Sequence, residues 1–274
     1  MLRAFRELRM LGDQHGISAV HDRAREQWLH WGAFRTIDQT CRQIVDILRE
    51  SGLIEWGLQE APPPGSYGSP ALNQNSNDCS LIASLLLAGQ HPNLGAKGSS
   101  TGVTFRTASE QSVLMHPSSL NSDIKRKGGM HEMGTLFTFS SIARSAEGAT
   151  LFMRETTRVT ALMAALFGGR LAVDGFNQLT LDWVPFYVQG ADNRLASRMI
   201  LEFKSALDRV LVMAFRSLAD VKSGSRDFAT NPIQEQCTQR VLEVLNLASG
   251  QSDGEIKVRK HGSQHSVPRK HYSE

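Results

Sequence analysis

A histidine and two serines, His116, Ser118 and Ser119, stand close together in the stretch LMHPSSLNS, directly after a pattern typical of a β-strand. A histidine that activates a serine is found in many hydrolases, but it needs a third group to orient it and donors for the oxyanion. No G-x-S-x-G elbow surrounds Ser118. The alternative is a fixed turn, in which Pro117 sets φ and the serine hydroxyls bond backbone N–H groups. The sequence favours the turn.

Motifs for nucleotide hydrolysis and metal binding are incomplete or missing in this sequence. It contains no G-x-x-x-x-G-K-[ST] loop, no acidic D-E-x-H box and no G-x-G-x-x-G after a strand. The glycines of LFGGRL follow a predicted helix instead of beginning one, which indicates a helix stop rather than a phosphate loop. HEMG at His131 lacks the second histidine of a zinc-protease motif. We therefore predict no catalytic residue, no metal site and no cofactor for this chain.

The most basic short stretch of the chain's middle part is NSDIKRKGGMHEMG, residues 121–134, with Lys125, Arg126 and Lys127 in succession. Such a run is either a solvated hairpin loop or a phosphate contact at the mouth of a nucleic-acid-binding barrel. The net charge of the chain, +3 over 274 residues, permits an RNA partner without requiring one.

The composition, 41% hydrophobic and 21% charged, is typical of a folded globular protein. No apolar run approaches the ~20 residues of a membrane span, and the N-terminus lacks the apolar region of a signal peptide. Cys41, Cys79 and Cys237 lie too far apart in sequence to indicate a disulfide framework or a metal knuckle. We expect an intracellular protein, cytoplasmic rather than nuclear, with no membrane partner.

Residues 1–60 have a helical pattern. The segment TIDQTCRQIVDILRESG places an apolar face at helical spacing, consisting of Ile37, Cys41, Ile44, Val45 and Leu48. Thr36 and Gln39 have the spacing of a capping box, which predicts that this helix begins at Thr36. An earlier segment, SAVHDRAREQWLHWGAF, predicts a second helix. Such helices need a partner for their apolar faces.

A proline- and glycine-rich stretch, 61–77, carries no charge and predicts a flexible linker. Asp78 then has the position of an N-cap for the apolar helix CSLIASLLLAG. From about residue 103 the apolar period changes to two, and five strand patterns follow: VTFRT, SVLMH, TLFTFSS, ATLFMRET and LTLDWVPFYV. One short helix, TALMAALFGG, lies among them. Five short strands with one internal helix favour an OB-type Greek-key barrel, although the pattern also allows a small sandwich.

A long amphipathic helix is predicted after the strands, with apolar positions from Leu195 to Leu218. A weaker helix is possible at about 232–248, and the polar end of the chain is typical of disorder. The predicted class is α+β: a helical segment, an OB-type barrel and a long C-terminal helix.

Three ordered motifs resemble the C-terminal part of DEAH-box RNA helicases. The family's V-x-[IL]-H-P-S-S is matched by Val113 to Ser119, its [FL]-[ML]-R-[DE]-x-T-x-[VI] by Phe152 to Val159, and its L-F-G-G-x-L by Leu166 to Leu171. The apolar helix ending LLLAGQHPNLG is similar to the family's A-G-x-x-P-N helix, and residues 15–60 are similar to the end of its ratchet domain. The resemblance spans about 15–218.

The residue patterns and the resemblance together predict a domain order: 1–60, helical end of the ratchet domain; 61–77, flexible linker; 78–190, OB fold; 191–222, C-terminal helix packed on the barrel; 223–274, largely disordered tail. The linker and the tail are predicted from the composition and lie outside the resemblance. The resemblance also implies partners, namely single-stranded or structured RNA and either the RecA-like motor domains or an activator protein. In the family, ATP and Mg are bound by motor domains whose motifs are missing from this sequence. The chain alone is therefore not expected to be an enzyme, although the parent family hydrolyses NTP.

The candidate RNA contacts are carried over at the matched motifs and at the basic residues near them. They are Arg106, His116, Ser118, Ser119, Lys125, Arg126, Lys127, Thr156 and Thr157. The alternative function is a motor-free interaction module that docks onto a helicase core or another partner through the apolar face of residues 18–50.

Overall fold

The computed structural model describes residues 2–51, 64–70, 72–99, 102–122, 131, 134–173, 178–188, 192–222, 232–250 and 256–258. The chain divides into two compact units. The first comprises Met1–Asn77 and Leu211–Gln234, and the second comprises Asp78–Val210 and Glu235–Glu274. Helices and mixed or antiparallel sheets occur together, so the predicted α+β class is confirmed. None of the described helices is long and apolar enough to cross a membrane.

Two helices, α1 (Leu2–Glu26) and α2 (Trp31–Glu50), form most of the described part of the first unit. His30 caps α2, because its Nδ1 accepts a hydrogen bond at 3.0 Å from a backbone N–H of the first turn. The predicted start at Thr36 is wrong, since this cap begins the helix more than a turn earlier. The Thr36 hydroxyl donates instead to the Gly32 carbonyl at 3.0 Å, a bond that threonines make inside helices.

The apolar face predicted for α2 contains no buried residue. Ile37 and Ile44 are 47% and 50% exposed, and Cys41 is half-buried. Near the start of the helix, Phe34 packs on Phe5 of α1 with 5.1 Å between the ring centroids. Within the described residues, α1 therefore covers the first turns of α2 more fully than the later ones.

A polar cluster joins α1 and α2 to Tyr67, which lies in the predicted linker. Arg9 is buried, forms an ion pair with Asp38 and lies over the Tyr67 ring at 4.3 Å. Tyr67 donates its hydroxyl to Asp38 at 2.7 Å. Burial alone would raise the pKa of Asp38, but the hydrogen bonds from Tyr67 and Arg42 and the charge of Arg9 lower it overall. Burial and the bond to Asp38 raise the pKa of Tyr67.

The second unit begins with α3 (Cys79–Gln90). Asp78 caps it as predicted, because its carboxylate accepts a hydrogen bond from the Leu81 N–H at 2.8 Å. The helix buries Ala83 and Leu87 on one side. This apolar side contributes to the larger of the two cores of the second unit.

Seven strands follow α3: β1 (Leu94–Lys97), β2 (Phe105–Arg106), β3 (Leu114–Met115), β4 (Leu136–Thr138), β5 (Ser141–Arg144), β6 (Leu151–Arg154) and β7 (Thr157–Val159). Strand β1 pairs antiparallel with β2 and β4, β3 pairs parallel with β6, and β6 pairs antiparallel with β5. A bridge between Phe105 and Val113 links β2 to the approach to β3. Only two residues separate β4 from β5. The bridge at one end and the short β4–β5 connection at the other arrange the seven strands as an incompletely paired ring, which is consistent with the predicted OB-type fold.

Successive side chains along each strand point alternately into the ring and away from it. Phe105, Met115, Phe137 and Met153 point inward and form the barrel core, where each is at most 1% exposed. The neighbouring side chains on β1 and β4 belong to the larger core outside the ring, together with α3. The sheet that contains β1 is therefore buried on both faces.

A short helix, α4 (Ala161–Phe167), follows β7 and ends at the C-cap Gly168. The glycines of LFGG thus end a helix, as predicted. A Cβ at Gly168 would lie 2.6 Å from the Ala164 carbonyl oxygen. Gly169 has φ +124°, and a Cβ there would lie 2.4 Å from Nε2 of His91. Both positions therefore exclude larger side chains.

The remaining strands, β8 (Leu171–Val173), β9 (Leu179–Leu181), β10 (Val184–Val188) and β11 (Ile256–Val258), form a separate sheet in the order β11-β10-β9-β8. Helices α5 (Asn193–Lys222) and α6 (Pro232–Gly250) are the predicted long and weak helices. Leu207 of α5 and Leu245 of α6 are buried in the larger core. The described parts of the tail predicted to be disordered are thus a helix and a paired strand.

We expect Gly169→Ala to lower the free energy of unfolding of the second unit by about 1–3 kcal/mol, because it forces an L-residue into a left-handed conformation and displaces His91. Urea unfolding followed by far-UV circular dichroism measures the change. Gly89→Ala is the control. A Cβ at Gly89, inside α3, meets nothing within 4 Å, and we expect a gain of up to about 1 kcal/mol. Equal unfolding midpoints for the two variants would contradict this reading of the LFGG motif.

Candidate nucleic-acid interface

The HPSS stretch forms a tight turn at the end of β3. The His116 N–H donates to the Met153 carbonyl at 3.0 Å, which continues the parallel pairing of β3 with β6. The Ser119 N–H then donates to the His116 carbonyl at 2.9 Å and closes the turn. Proline at 117 suits this place because its fixed φ favours turns and it has no N–H to pair.

His116 and Ser118, the candidate His/Ser pair of the sequence, are hydrogen-bonded to each other. Their Nδ1 and Oγ atoms lie 2.6 Å apart, and the Ser118 N–H also donates to Nδ1 at 3.3 Å. This second bond makes Nδ1 an acceptor within the turn. Within the described residues no carboxylate bonds to the His116 ring, which also contacts the Phe152 ring at 5.7 Å. The geometry therefore matches the turn interpretation.

Ser119, Asn121 and Thr156 form a hydrogen-bonded network. The Ser119 and Thr156 hydroxyl oxygens lie 2.9 Å apart. Asn121 Nδ2 donates to the Thr156 carbonyl at 2.9 Å and to its Oγ1 at 3.1 Å. Thr156 follows Glu155, which has φ +53° and lies at the bend between β6 and β7. The network thus ties the turn after β3 to the bend after β6.

His131 and Lys97 extend the polar groups into the barrel core. His131 Nε2 lies 2.7 Å from the Asn121 carbonyl, to which it donates, and its ring contacts the Phe137 ring edge-on at 4.9 Å. Lys97 is only 1% exposed, and its Nζ lies 4.9 Å from the centroid of the Phe105 ring. The sequence patterns singled out neither Lys97 nor Asn121. The position of Asn121, two residues after the HPSS motif, is the signal that could have identified it.

The predicted site residues separate into three groups. The first group, His116, Ser118, Ser119 and Thr156, is brought together at the turn and the bend. Thr157 lies next to it in β7, half-buried and opposite Thr138. Arg106 lies elsewhere, in β2, where its guanidinium is 5.4 Å from the Trp183 ring centroid. The third group, Lys125, Arg126 and Lys127, lies outside the described residues.

An aromatic and basic surface lies on the outside of β3 and β6, which we call the outer face. Because Met115 and Met153 point into the core, their strand neighbours Leu114, Phe152 and Arg154 point outward. Phe152 is half-buried against His116, and Arg154 is exposed. Aromatic rings beside cations are the groups that bind unpaired bases and their phosphates.

Comparison with known families identifies the fold of this region. Residues 82–171 match the family model described as the oligonucleotide/oligosaccharide-binding (OB) fold. The match runs from within α3 through β1 to β7 and α4 to the first residue of β8. These residues form an OB fold. In OB folds generally, a strand surface and the adjoining loops bind the ligand.

A curated relative agrees with the family match. The chain is 23% identical over 180 residues to the ATP-dependent RNA helicase dhx29 of Xenopus laevis. The alignment covers 62% of this chain and 12% of that relative. The two comparisons together confirm the resemblance to the C-terminal region of DEAH-box RNA helicases.

We expect Thr156→Val to destabilise the OB fold by about 1–3 kcal/mol, because it removes the Oγ1 that bonds to the Ser119 hydroxyl and to Asn121 Nδ2. Thr157→Val is the matched control, since this adjacent threonine is also half-buried but lies outside the network. We expect a change within about 0.5 kcal/mol for the control. Urea unfolding of both variants checks the difference, and equal stabilities would argue against a supporting role of the network.

Proposed function

We propose that this chain is the C-terminal RNA-binding and regulatory region of an ATP-dependent DEAH-box RNA helicase. The observation that carries the proposal is the outer face, where the exposed Arg154 lies in the same strand as Phe152, whose ring contacts the His116 ring edge-on. The helicase-associated type of the OB fold and the similarity to an RNA helicase support RNA over other ligands.

Binding would combine stacking with phosphate contacts. An unpaired base stacks on the exposed part of the Phe152 ring, with His116 packed edge-on behind it. Arg154 and the Ser118 hydroxyl, both exposed, bind phosphate or ribose oxygens next to it. Lys125, Arg126 and Lys127 follow the HPSS turn in sequence and add positive charge. Each base–aromatic contact of this kind contributes about 1–3 kcal/mol and has little sequence preference.

Among the described residues, the glycine pair of LFGG does not fit the phosphates of ATP and its Mg. The glycine pair that most resembles a phosphate loop, Gly168 and Gly169, ends α4, and the space beside it is filled by the Ala164 carbonyl and His91. Phosphate loops instead lie before a helix N-terminus. We therefore assign no step of ATP hydrolysis to this chain, and its contribution to a helicase would be RNA binding and control of the motor.

Anisotropy of a labelled single-stranded RNA of about 12 nucleotides, titrated with the full chain at about 50 and 200 mM salt, tests the proposal. We expect Phe152→Ala to weaken binding by about 5- to 100-fold, because it removes the stacking surface. Phe215→Ala is the matched control, since Phe215 is also an accessible phenylalanine, 69% exposed, but lies on α5 in the first unit. Wild-type protein that leaves the RNA free even at low salt would disprove the RNA role.

A second candidate function is docking onto a protein partner, which one observation favours. No residue of α2 is buried, and its apolar face includes Ile37, Ile44 and Ile47, each about half exposed. We propose that this face binds the RecA-like motor domains of a helicase or an activator protein. Regulation of the motor would then act through the first unit.

Mixing the full chain with purified motor domains of a DEAH-box helicase tests the docking. We expect Ile44→Glu to weaken the complex at least tenfold, because it places a charge in an apolar contact. Gln43→Glu adds the same charge at the adjacent exposed position and should leave binding unchanged. Analytical ultracentrifugation measures both affinities. Equal effects of the two variants, or no complex with wild-type protein, would contradict the docking.

A further inference from the structure

Arg106 is a cation whose surroundings lack a matching anion. No carboxylate among the described residues pairs with it, and its Nε is buried without a hydrogen-bond partner. A buried unsatisfied donor is costly and rare in folded proteins. Arg9, whose Nε is also unsatisfied, is different, because its charge is balanced by Asp38 and Asp13. Arg106 has no such balance.

The direction of Arg106 follows from the strand that holds it. Phe105 points into the barrel core together with Lys97, its partner across the strands. Arg106 therefore points outward, on the same face as Ala96, its own cross-strand partner. On that face its guanidinium lies over Trp183 at 5.4 Å from the ring centroid.

Trp183 is held in place by the turn between β9 and β10. Leu181 and Val184 on either side of the turn are buried in the larger core, and Trp183 packs against the same core. Asp182, with φ +49°, completes the turn and forms an ion pair with Nε2 of His91 at 3.0 Å. The indole thus provides a fixed aromatic surface beside the guanidinium, the arrangement of a cation–π contact.

We propose that Arg106, positioned by Trp183, binds a phosphate group of a single-stranded nucleic acid. The guanidinium is planar, carries a fork of donors that matches two phosphate oxygens, and is weakly hydrated, so partial burial costs it less than it would cost a lysine. Stacking on Trp183 restricts the side chain before the ligand arrives, which reduces the entropy lost on binding. The inference rests on the RNA-binding function proposed above and assigns it a second contact, separate from the outer face.

The test measures RNA affinity and its salt dependence for the full chain and five variants. We expect Arg106→Ala to weaken binding by at least about tenfold and to reduce the slope of log K against log salt by about 0.7, the value for one phosphate of a single strand. Arg106→Lys keeps the charge but cannot stack or form the fork, so we expect it to keep most of the slope and to lose affinity.

Variants of Trp183 test its positioning role. We expect Trp183→Leu to weaken RNA binding and Trp183→Phe to restore most of it, because phenylalanine keeps an aromatic face under the guanidinium. In the double variant Arg106→Ala with Trp183→Leu, the loss should not exceed that of Arg106→Ala alone. If the losses of RNA affinity in the two single variants add up in the double variant, Trp183 does not act through Arg106, and the positioning role is contradicted. Thermal unfolding of every variant shows whether the effect of Trp183→Leu comes from lower stability.

Competition by inorganic phosphate, added at constant ionic strength, shows whether Arg106 binds free phosphate or a phosphate group within a nucleic-acid strand. We expect it to compete no better than chloride, because one phosphate group lacks the neighbouring contacts of the strand. Strong competition that disappears in Arg106→Ala would indicate a site for free phosphate and overturn the assignment. Wild-type affinity and slope in Arg106→Ala, combined with a loss in Phe152→Ala, would overturn this inference and leave the proposed function intact. No RNA binding by wild-type protein would overturn both.

Discussion

Strand β1 is buried on both faces, and the arrangement of the second unit depends on this constraint. All four of its residues, Leu94–Lys97, are buried. Leu94 and Ala96 belong to the larger core outside the ring, whereas Lys97 points to Phe105 inside the barrel. One short strand thus forms part of two cores at once. The outside of the barrel at β1 is consequently covered by the larger core, whereas Arg106 of β2 lies at the rim of that core.

The same constraint bears on where the proposed ligand would bind. One side of the barrel is covered, and the two proposed contact surfaces, the outer face and β2, do not include β1. Phe152 and Arg154 lie on the first of these surfaces, and Arg106 lies at the second, on the rim of the larger core. The turn after β3 and the bend after β6 are tied together by Ser119 and Thr156. This bond fixes the geometry of the outer face, so these polar residues support the binding surface even where they do not contact a ligand.

Elements whose apolar residues repeat with a clear helical or strand period could be predicted from the sequence. Elements and contacts that depend on tertiary packing could not. The helix capped by Asp78 and the barrel motifs were predicted because capping and alternation are local. Strand β1 was missed, since a strand buried on both faces shows no alternation of polar and apolar residues. The start of α2 was misplaced because a histidine, rarely a cap, takes that role at His30. The Arg106–Trp183 contact joins residues far apart in sequence, and no local pattern could reveal it.

The small number of positive charges at the proposed contacts has a consequence for the proposed function. The salt dependence of binding reflects the number of phosphates that a protein neutralises, and Arg106, Arg154 and the basic stretch at 125–127 can neutralise only a few. The isolated chain should therefore bind RNA weakly. Weak binding is sufficient when a motor domain already holds the same strand, because the local concentration of RNA at the OB fold is then high. Such a contact can guide a moving strand without stopping it, and a tighter one would oppose translocation. Under the proposed function, weak contacts of this kind would therefore suit a guide for single-stranded RNA better than an independent RNA-binding protein.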